Sequence, residues 1–140
     1  MESTRQNDLE RLLDHVLDFA HKTLSNHGEF YPFGAVVRTD GELRYVAGYS
    51  GSETPPSQQV IDLIVAGTRE GARTKEIRAV GICYDARVRP PDSEPTDAIA
   101  VALEHVEGEP ALALMPYKKV GTEIEYSELT IEPGERRVFV

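Results

Sequence analysis

Hydrophobic and polar residues follow a helical period near the start of this chain. Leucine and other apolar residues recur at three- and four-residue spacing within Asn7–Asn26, which predicts an amphipathic helix. Asn7 and Glu10 fit a capping box at its start. Gly28 follows as the residue expected to take the left-handed conformation where the helix ends.

A second helix is predicted near the middle of the chain. Thr54-Pro55-Pro56 is typical of a helix start, because proline is tolerated in the first turn. The helical pattern ends near Gly71–Thr74. Residues at helical spacing form its predicted buried stripe: Val60, Ile61, Ile64, Val65 and Thr68.

Alternation of period two, which is typical of strands, occupies much of the remaining chain. Asp40-Gly41 separates two such runs, which is a strong signal for a hairpin. The most strand-like segments are Ile77–Arg89 and Asp97–Val106, which predict a central hairpin. Pairing Cys83 with Ala98 would place the small residues of both strands on one flat face, suited to a closely packed helix.

The last part of the chain is predicted to complete the sheet. Ala111–Lys118 and Glu123–Glu132 form strands in this interpretation, and Arg137–Val140 is a candidate for a short final strand. The order α-β-β-α-β-β-β-β predicts an α+β fold with one mainly antiparallel sheet and two helices packed on one face. Since no linker interrupts the pattern, residues 1–140 are predicted to form a single domain.

Composition narrows the classes of partner and compartment. The net charge of −9 disfavours a nucleic-acid partner, because a phosphate backbone would be repelled. One cysteine allows no internal disulfide, which fits a reducing compartment. The polar start MESTRQNDLERLL does not resemble a signal peptide, and no apolar run approaches the ~18 residues of a membrane span. These features predict a cytoplasmic protein that binds neither nucleic acid nor membrane.

Several catalytic and cofactor chemistries lack their motifs. The chain contains no GxSxG, GxGxxG or P-loop sequence. His15, His21 and His27 are six residues apart, so they cannot share a helix face, and neither a metal nor a cofactor is predicted. His105 is predicted at the surface. Cys83 lies among small residues, which favours a buried packing role over a nucleophile.

The segment PFGAVVRTDGE, at Pro32–Glu42, resembles the first hairpin of the cytidine-deaminase-like fold. The resemblance covers roughly Leu9–Tyr84 and implies a helix before the hairpin and another after it. That family binds zinc through His-x-Glu or Cys-x-Glu at the second helix and through Pro-Cys-x-x-Cys. Here the corresponding segments are Pro56–Val60 and Arg89–Asp92, which contain none of these ligands. The resemblance therefore implies, at most, a zinc-free relative whose second half departs as a β-meander. A Roadblock- or profilin-like layout has a comparable element order, which is an analogy at the level of fold.

A polar set at the far end of the central hairpin is the candidate ligand site. Placed near the aromatic segment EFYPF, it could form a small pocket for a carboxylate, a phosphate or a peptide end. The alternative is ion pairing across the hairpin, with the aromatic residues filling the core. The candidate ligand-binding residues are Asp85, Arg87, Arg89, Asp97, Phe30 and Tyr31.

Three functions remain open from the sequence. The first is a non-catalytic interaction or small-ligand-binding module that forms a homodimer, such as an immunity or regulatory protein with a protein partner. It follows from a sheet that is apolar on both faces and has too few helices to cover both. The second is a small metal-independent enzyme that uses a pocket near Asp85, Arg87 and Asp97. The third is a degenerate, zinc-free deaminase-like domain.

Overall fold

The chain forms an antiparallel sheet with helices packed against it, in a computed structural model that describes residues 4–47 and 56–140. Within these ranges the elements, in chain order, are α1 (Thr4–His27), β1 (Phe33–Arg38), β2 (Leu43–Ala47), α2 (Ser57–Arg73), β3 (Ile77–Val88), β4 (Thr96–His105), β5 (Ala111–Val120), β6 (Glu123–Tyr126) and β7 (Thr130–Pro133). The strand order is β2-β1-β3-β4-β5-β6, and β7 joins β5 on the same edge as β6. The predicted α+β class, antiparallel sheet and order of elements are confirmed.

The two helices cover opposite faces of the sheet, so the prediction that both pack on one face is wrong. The α1 stripe, which includes Leu12 and Val16, shares a core with Val37 of β1. Val36, the next residue back along β1, packs instead with Val60 and other residues of α2. Because adjacent strand residues point to opposite faces, these two cores must lie on the two sides of the sheet. Each helix therefore buries one of the apolar faces that the sequence predicted.

The register of the central hairpin explains why both faces are filled. Cys83 pairs with Val101 and not with Ala98 as predicted. The shift is odd, so it turns every side chain of one strand to the other face relative to its partner. Small residues of β3 now stand beside large residues of β4: a Cβ added at Gly81 would lie 3.3 Å from Leu103. Small side chains of one strand beside large side chains of the other fill both faces of the sheet. The predicted register would have gathered the small side chains on one flat face.

The predicted turns and helix ends have mixed outcomes. Gly28 ends α1 with a φ of 77°, and Gly41 turns the β1–β2 hairpin with a φ of 93°, as predicted. The predicted capping box is wrong, because α1 already includes Thr4 and places Asn7 inside the helix. α2 begins at Ser57 after Pro56, while Thr54 and Pro55 lie outside the described residues. No helix in the described part of the chain is both long and apolar enough to cross a membrane.

The acidic segment after β5 forms two short strands instead of one. Pro116 lies where they separate, and its carbonyl accepts a hydrogen bond from the Ser127 N–H at 2.9 Å. The nitrogen and the carbonyl of a strand residue point toward the same neighbouring strand. Since the Pro116 carbonyl faces the break between β6 and β7, its nitrogen also faces this break. The proline therefore removes no hydrogen bond from the pairing of β5 with β4. The predicted final strand at Arg137–Val140 is absent from the described structure, where the same segment is irregular.

A buried carboxylate fastens this irregular segment to the sheet. Glu104 is 4% exposed and lies on the α2 face of β4. Its oxygens accept hydrogen bonds from the backbone N–H groups of Arg137, Val138 and Phe139 at 3.0–3.1 Å. Val138 is 1% exposed and packs with α2, so the segment covers sheet surface that the helix leaves open.

A second buried carboxylate fastens α1. Asp8 is fully buried, and its two oxygens accept hydrogen bonds from Nε and Nη2 of Arg78 at 2.8 and 3.0 Å. His105, 2% exposed, donates from Nε2 at 2.9 Å, because its Nδ1 accepts the Glu107 N–H. The prediction that His105 lies at the surface is wrong. Burial alone would raise the pKa of Asp8, but the hydrogen bonds from Arg78 and His105 lower it.

A β-bulge aims Arg78 at this carboxylate. β1 pairs Val37 with Ala79 and Arg38 with Ile77, which leaves Arg78 as an extra residue. The bulge lets Ile77 join the α2 core while Arg78 turns toward α1. Arg78 also donates to the carbonyl of Thr39 at 3.3 Å, so the β1–β2 turn is tied to the same cluster.

Replacing the carboxylate of Asp8 should lower stability and flatten its dependence on acid. Asp8→Asn leaves the Arg78 charge without its partner, and we expect a loss of about 3 kcal/mol near neutral pH. Since the folded pKa of Asp8 is depressed, its contribution is present above the unfolded pKa of about 3.9 and is lost as pH falls through the folded pKa. Urea unfolding between pH 2 and pH 7 measures both effects. Equal stability of the two proteins at neutral pH would contradict the assignment.

Glu104→Gln should release the segment that Glu104 binds without unfolding the sheet. Glutamine keeps the size of the side chain but removes the charge that strengthens three N–H contacts. We expect faster amide hydrogen exchange at Val138 and Phe139, with little change at the central residues of β3. Glu135→Gln, in the same segment but paired only with exposed Arg137, is the matched control. Unchanged exchange at Val138 would contradict this role.

Candidate functional site

Cys83 does not have the setting of a nucleophile. Its side chain is fully buried in the α1 core. Burial, with a smaller effect from the nearby Asp85 charge, raises the pKa of the thiol well above its usual value. A thiol needs an accessible, electropositive environment to react as a thiolate, and neither condition is met. The packing role expected from the sequence is the one observed.

The predicted polar set is only partly brought together. Arg87 and Asp97 are cross-strand partners, and Nη1 of Arg87 lies 3.2 Å from Oδ1 of Asp97. Their side chains are 68% and 45% exposed, so this pair matches the ion-pairing alternative. Asp85 takes a different partner: its Oδ1 accepts a hydrogen bond from the Tyr117 hydroxyl at 2.9 Å. None of the four main cavities formed by the described residues is lined by Asp85, Arg87 or Asp97.

The remaining predicted site residues lie elsewhere. Arg89 follows the end of β3 and lines a groove together with Pro116. The side chain of Pro116 lies on the face of the sheet opposite Asp85, so this groove does not include the predicted polar set. Phe30 is 8% exposed and belongs to the α1 core, whereas Tyr31 is 48% exposed. The aromatic segment therefore fills the core through Phe30 and does not enclose the polar set.

Asp85 and Tyr117 are electrostatically coupled. Partial burial raises the pKa of Asp85, while the Tyr117 hydrogen bond opposes the rise. Burial and the Asp85 carboxylate both raise the pKa of Tyr117, which is 2% exposed. The Tyr117 hydroxyl is occupied by this bond, whereas Asp85 is exposed and its second carboxylate oxygen can still accept a hydrogen bond. The evident role of the pair is to satisfy a buried phenol.

Tyr117→Phe should raise the pKa of Asp85 further, because the hydroxyl stabilises the ionised carboxylate. A titration followed by the carboxyl carbon signal of Asp85 measures the change. Tyr126→Phe is the matched control, since the Tyr126 hydroxyl bonds to His21 and not to Asp85. A lower pKa in Tyr117→Phe would show that the hydrogen bond does not favour the ionised form.

A groove, here called the hairpin groove, lies on the α2 face beyond the reach of α2. It has a volume of about 430 Å³, within the range of small-ligand sites. It is lined by residues from the ends of β3 and β4 and their connection, from β5, and from the β6–β7 segment. Its lining residues are Val88, Arg89, Pro90, Pro91, Ser93, Glu94, Thr96, Leu114, Pro116, Lys118, Ser127, Glu128, Thr130 and Glu132.

The charged residues of the hairpin groove differ from the predicted polar set in lacking partners. Arg89 and Lys118 form no ion pair within 4 Å among the described residues, although Glu94, Glu128 and Glu132 line the same groove and Glu125 is the cross-strand neighbour of Lys118. Lys118 stands at one end of β5, beside Thr96. Glu132 pairs with Leu112 near the other end, six residues or about 20 Å away along the strand. The groove therefore has Lys118 near one end, together with Glu94, and Glu132 near the other, with Leu114 and Pro116 between them.

No metal centre is evident in the ranges 4–47 and 56–140. There, no three His, Cys, Asp or Glu side chains are placed to hold one ion together. The acidic residues of the hairpin groove are spread along it, and the buried carboxylates of Asp8 and Glu104 already bind protein donors.

The sequence patterns did not lead to a prediction of the two buried carboxylates, Asp8 and Glu104, although the position of Asp8 along α1 indicated burial. Asp8 lies four residues before Leu12, so it continues the apolar stripe of α1. A charge on a buried stripe indicates a buried partner. No sequence pattern indicated that Lys118 and Glu132 line the same groove. Their placement depends on how β6 and β7 share the edge of β5.

Comparison of the chain with protein-family models, with curated proteins and with solved structures found no match.

Proposed function

We propose that this chain is a non-catalytic interaction module that self-associates through the hairpin groove. The observation that carries the proposal is an apolar stretch, Leu114 and Pro116, with Lys118 at one end and Glu132 at the other, neither of which forms an ion pair among the described residues. Exposed charges elsewhere on the hairpin, such as Arg87 and Asp97, are already paired within the chain. A partner in the groove would satisfy charges that form no ion pair among the described residues of the chain.

The partner that fits best is a second copy of this chain. In a two-fold dimer the same patch meets itself in the opposite direction. The Lys118 end of one groove then faces the Glu132 end of the other, and Leu114 lies close to the axis. Glu94 lines the Lys118 end and Glu125 stands opposite Lys118 across β5 and β6, so the positive charge there is largely offset, and the complementarity is between Lys118 and Glu132 themselves. Such complementarity favours this pairing over a parallel one, which would oppose like charges.

The α2 face supplies the apolar surface for this contact. α2 and the segment held by Glu104 cover the surface near β1 and β3. On the β4–β5 side, Leu112 and Leu114 remain partly exposed. The sequence-based expectation of a homodimer arose from a whole uncovered face; the proposal here is narrower and concerns this remaining part.

The two alternative functions receive less support. A metal-independent enzyme would need Asp85, Arg87 and Asp97 around a cavity, and the main cavities of the described residues lie elsewhere. A zinc-free deaminase-like domain remains a prediction from Pro32–Glu42 alone.

Charge reversal across the groove tests the proposal. Lys118→Glu or Glu132→Lys alone would place like charges opposite each other at both ends, and we expect dimerisation to weaken by about tenfold or more. The double variant Lys118→Glu/Glu132→Lys restores opposite charges in a two-fold dimer, so its dissociation constant should return toward that of the unmodified chain. Sedimentation equilibrium measures all four proteins.

A second pair of variants separates the groove from general surface effects. Leu114→Glu places a charge at the proposed axis and should give a monomer. Ile131→Glu is the matched control, because Ile131 is 56% exposed and lies on the opposite face of the sheet, paired with Ala113. An unmodified chain that remains monomeric at high concentration would contradict self-association, and equal effects of the two variants would contradict the groove as its site.

A further inference from the structure

A second cleft lies at the opposite side of the α2 face, between the end of α2, the start of the β4–β5 connection and the segment held by Glu104. Here called the arginine cleft, it has a volume of about 420 Å³. Its lining contains three arginines and no acidic residue, in a chain whose net charge is −9. The lining residues are Arg69, Ala72, Arg73, Val106, Arg136, Val138, Phe139 and Val140.

Two of these arginines are held in place without being neutralised. Arg69 donates from Nε and Nη2 to the carbonyl oxygen of Arg137 at 2.9 and 2.6 Å. Arg136 donates to the carbonyl oxygen of Gly108 at 2.6 Å. Neither forms an ion pair with a carboxylate in the part of the chain that the structure describes. Each guanidinium has five N–H donors, so both retain donors for a further group.

The third arginine, Arg73, forms an ion pair with a carboxylate outside the cleft. Its Nη2 lies 2.5 Å from Oε1 of Glu70, one turn away on α2. The C-terminal end of α2 also carries a partial negative charge, which opposes an anion. Arg69 and Arg136 carry two full positive charges, which outweigh that half charge.

The cleft also offers apolar surface beside the charges. Val106 is 59% exposed, and Phe139 is only partly buried. An isolated phosphate would use the arginines and leave these side chains in water. An anionic group attached to a small apolar body would use both.

We propose that the arginine cleft binds a small amphipathic anion, with its carboxylate or phosphate held by Arg69 and Arg136 and its apolar part against Val106 and Phe139. Guanidinium groups bind both kinds of anion through paired N–H donors. The fixed positions of the two arginines lower the entropy lost on binding. This site is separate from the hairpin groove, and its occupancy does not depend on self-association.

Backbone and arginine side-chain NMR signals of the full chain provide the test. Hexanoate and hexyl phosphate should shift the signals of Val106, Phe139, Arg69 and Arg136 in a saturable way, and they distinguish carboxylate from phosphate recognition. Inorganic phosphate has the anionic group without the apolar part, and hexan-1-ol has the apolar part without the anionic group. Both should therefore bind at least about tenfold more weakly.

Variants establish that the arginines carry the binding. Arg69→Gln or Arg136→Gln should weaken hexanoate binding about tenfold, since each removes a charge-assisted contact. Arg137→Gln is the matched control, because Arg137 pairs with Glu135 and does not line the cleft. Unshifted Val138 signals in the unliganded variants show that the segment remains docked; if they move, Arg69→Lys and Arg136→Lys, which keep the charge, should retain most of the binding.

Three results would overturn the proposal. The absence of saturable shifts with both hexanoate and hexyl phosphate would show that the cleft does not take such a ligand. Equal affinity in Arg69→Gln, Arg136→Gln and Arg137→Gln would show that any binding is unspecific. Binding of inorganic phosphate as tight as that of hexyl phosphate would contradict the role given to the apolar surface.

Discussion

The buried carboxylate of Asp8 is the constraint on which the arrangement of α1 against the sheet depends. A carboxylate cannot be taken out of water without partners, and Arg78 and His105 supply them from two neighbouring strands. The bulge at Arg78 and the contact of His105 Nε2 with Asp8 both serve this requirement. Glu104 acts in the same way on the other face, where three backbone N–H groups satisfy it. Each face of the sheet thus has one internal acid that fixes what covers it.

These two anchors determine which surfaces remain open. On the α1 face, the helix and Tyr117 leave Asp85 with an internal partner and the Arg87–Asp97 pair in solvent. On the α2 face, a shorter helix and the segment held by Glu104 leave surface at both of its ends. The hairpin groove and the arginine cleft lie there, and they differ in charge: the groove carries both signs, whereas the cleft is lined by arginines alone among its charged residues.

The periodic patterns predicted most of the elements but not how they meet. Apolar spacing identified both helices, and Gly28 and Asp40-Gly41 marked turns that the structure contains. The register of the central hairpin could not be predicted from the sequence, because the pairing of Cys83 with Ala98 and its pairing with Val101 are equally good locally. The choice between them depends on packing small residues beside large ones across two strands and two faces. That information is distributed over the whole sheet and is not visible in either strand.

The candidate site shows the same limit more strongly. Asp85, Arg87 and Arg89 alternate along the chain, which predicted one polar cluster, but β3 ends at Val88 and Arg89 turns to the other face. Lys118 and Glu132 line one groove, at its two ends, because two short strands share one edge of β5. Long-range pairing of this kind brings together residues whose local sequence carries no chemical motif.

The most direct measurement of the central claim is an isotope-filtered NOE experiment on a mixture of labelled and unlabelled chains. Association through the hairpin groove predicts intermolecular NOEs from the Leu114 methyl groups to Leu114 and Pro116 of the second copy. Intermolecular NOEs confined to another surface, or the absence of NOEs from Leu114 at concentrations where the protein sediments as a dimer, would contradict it.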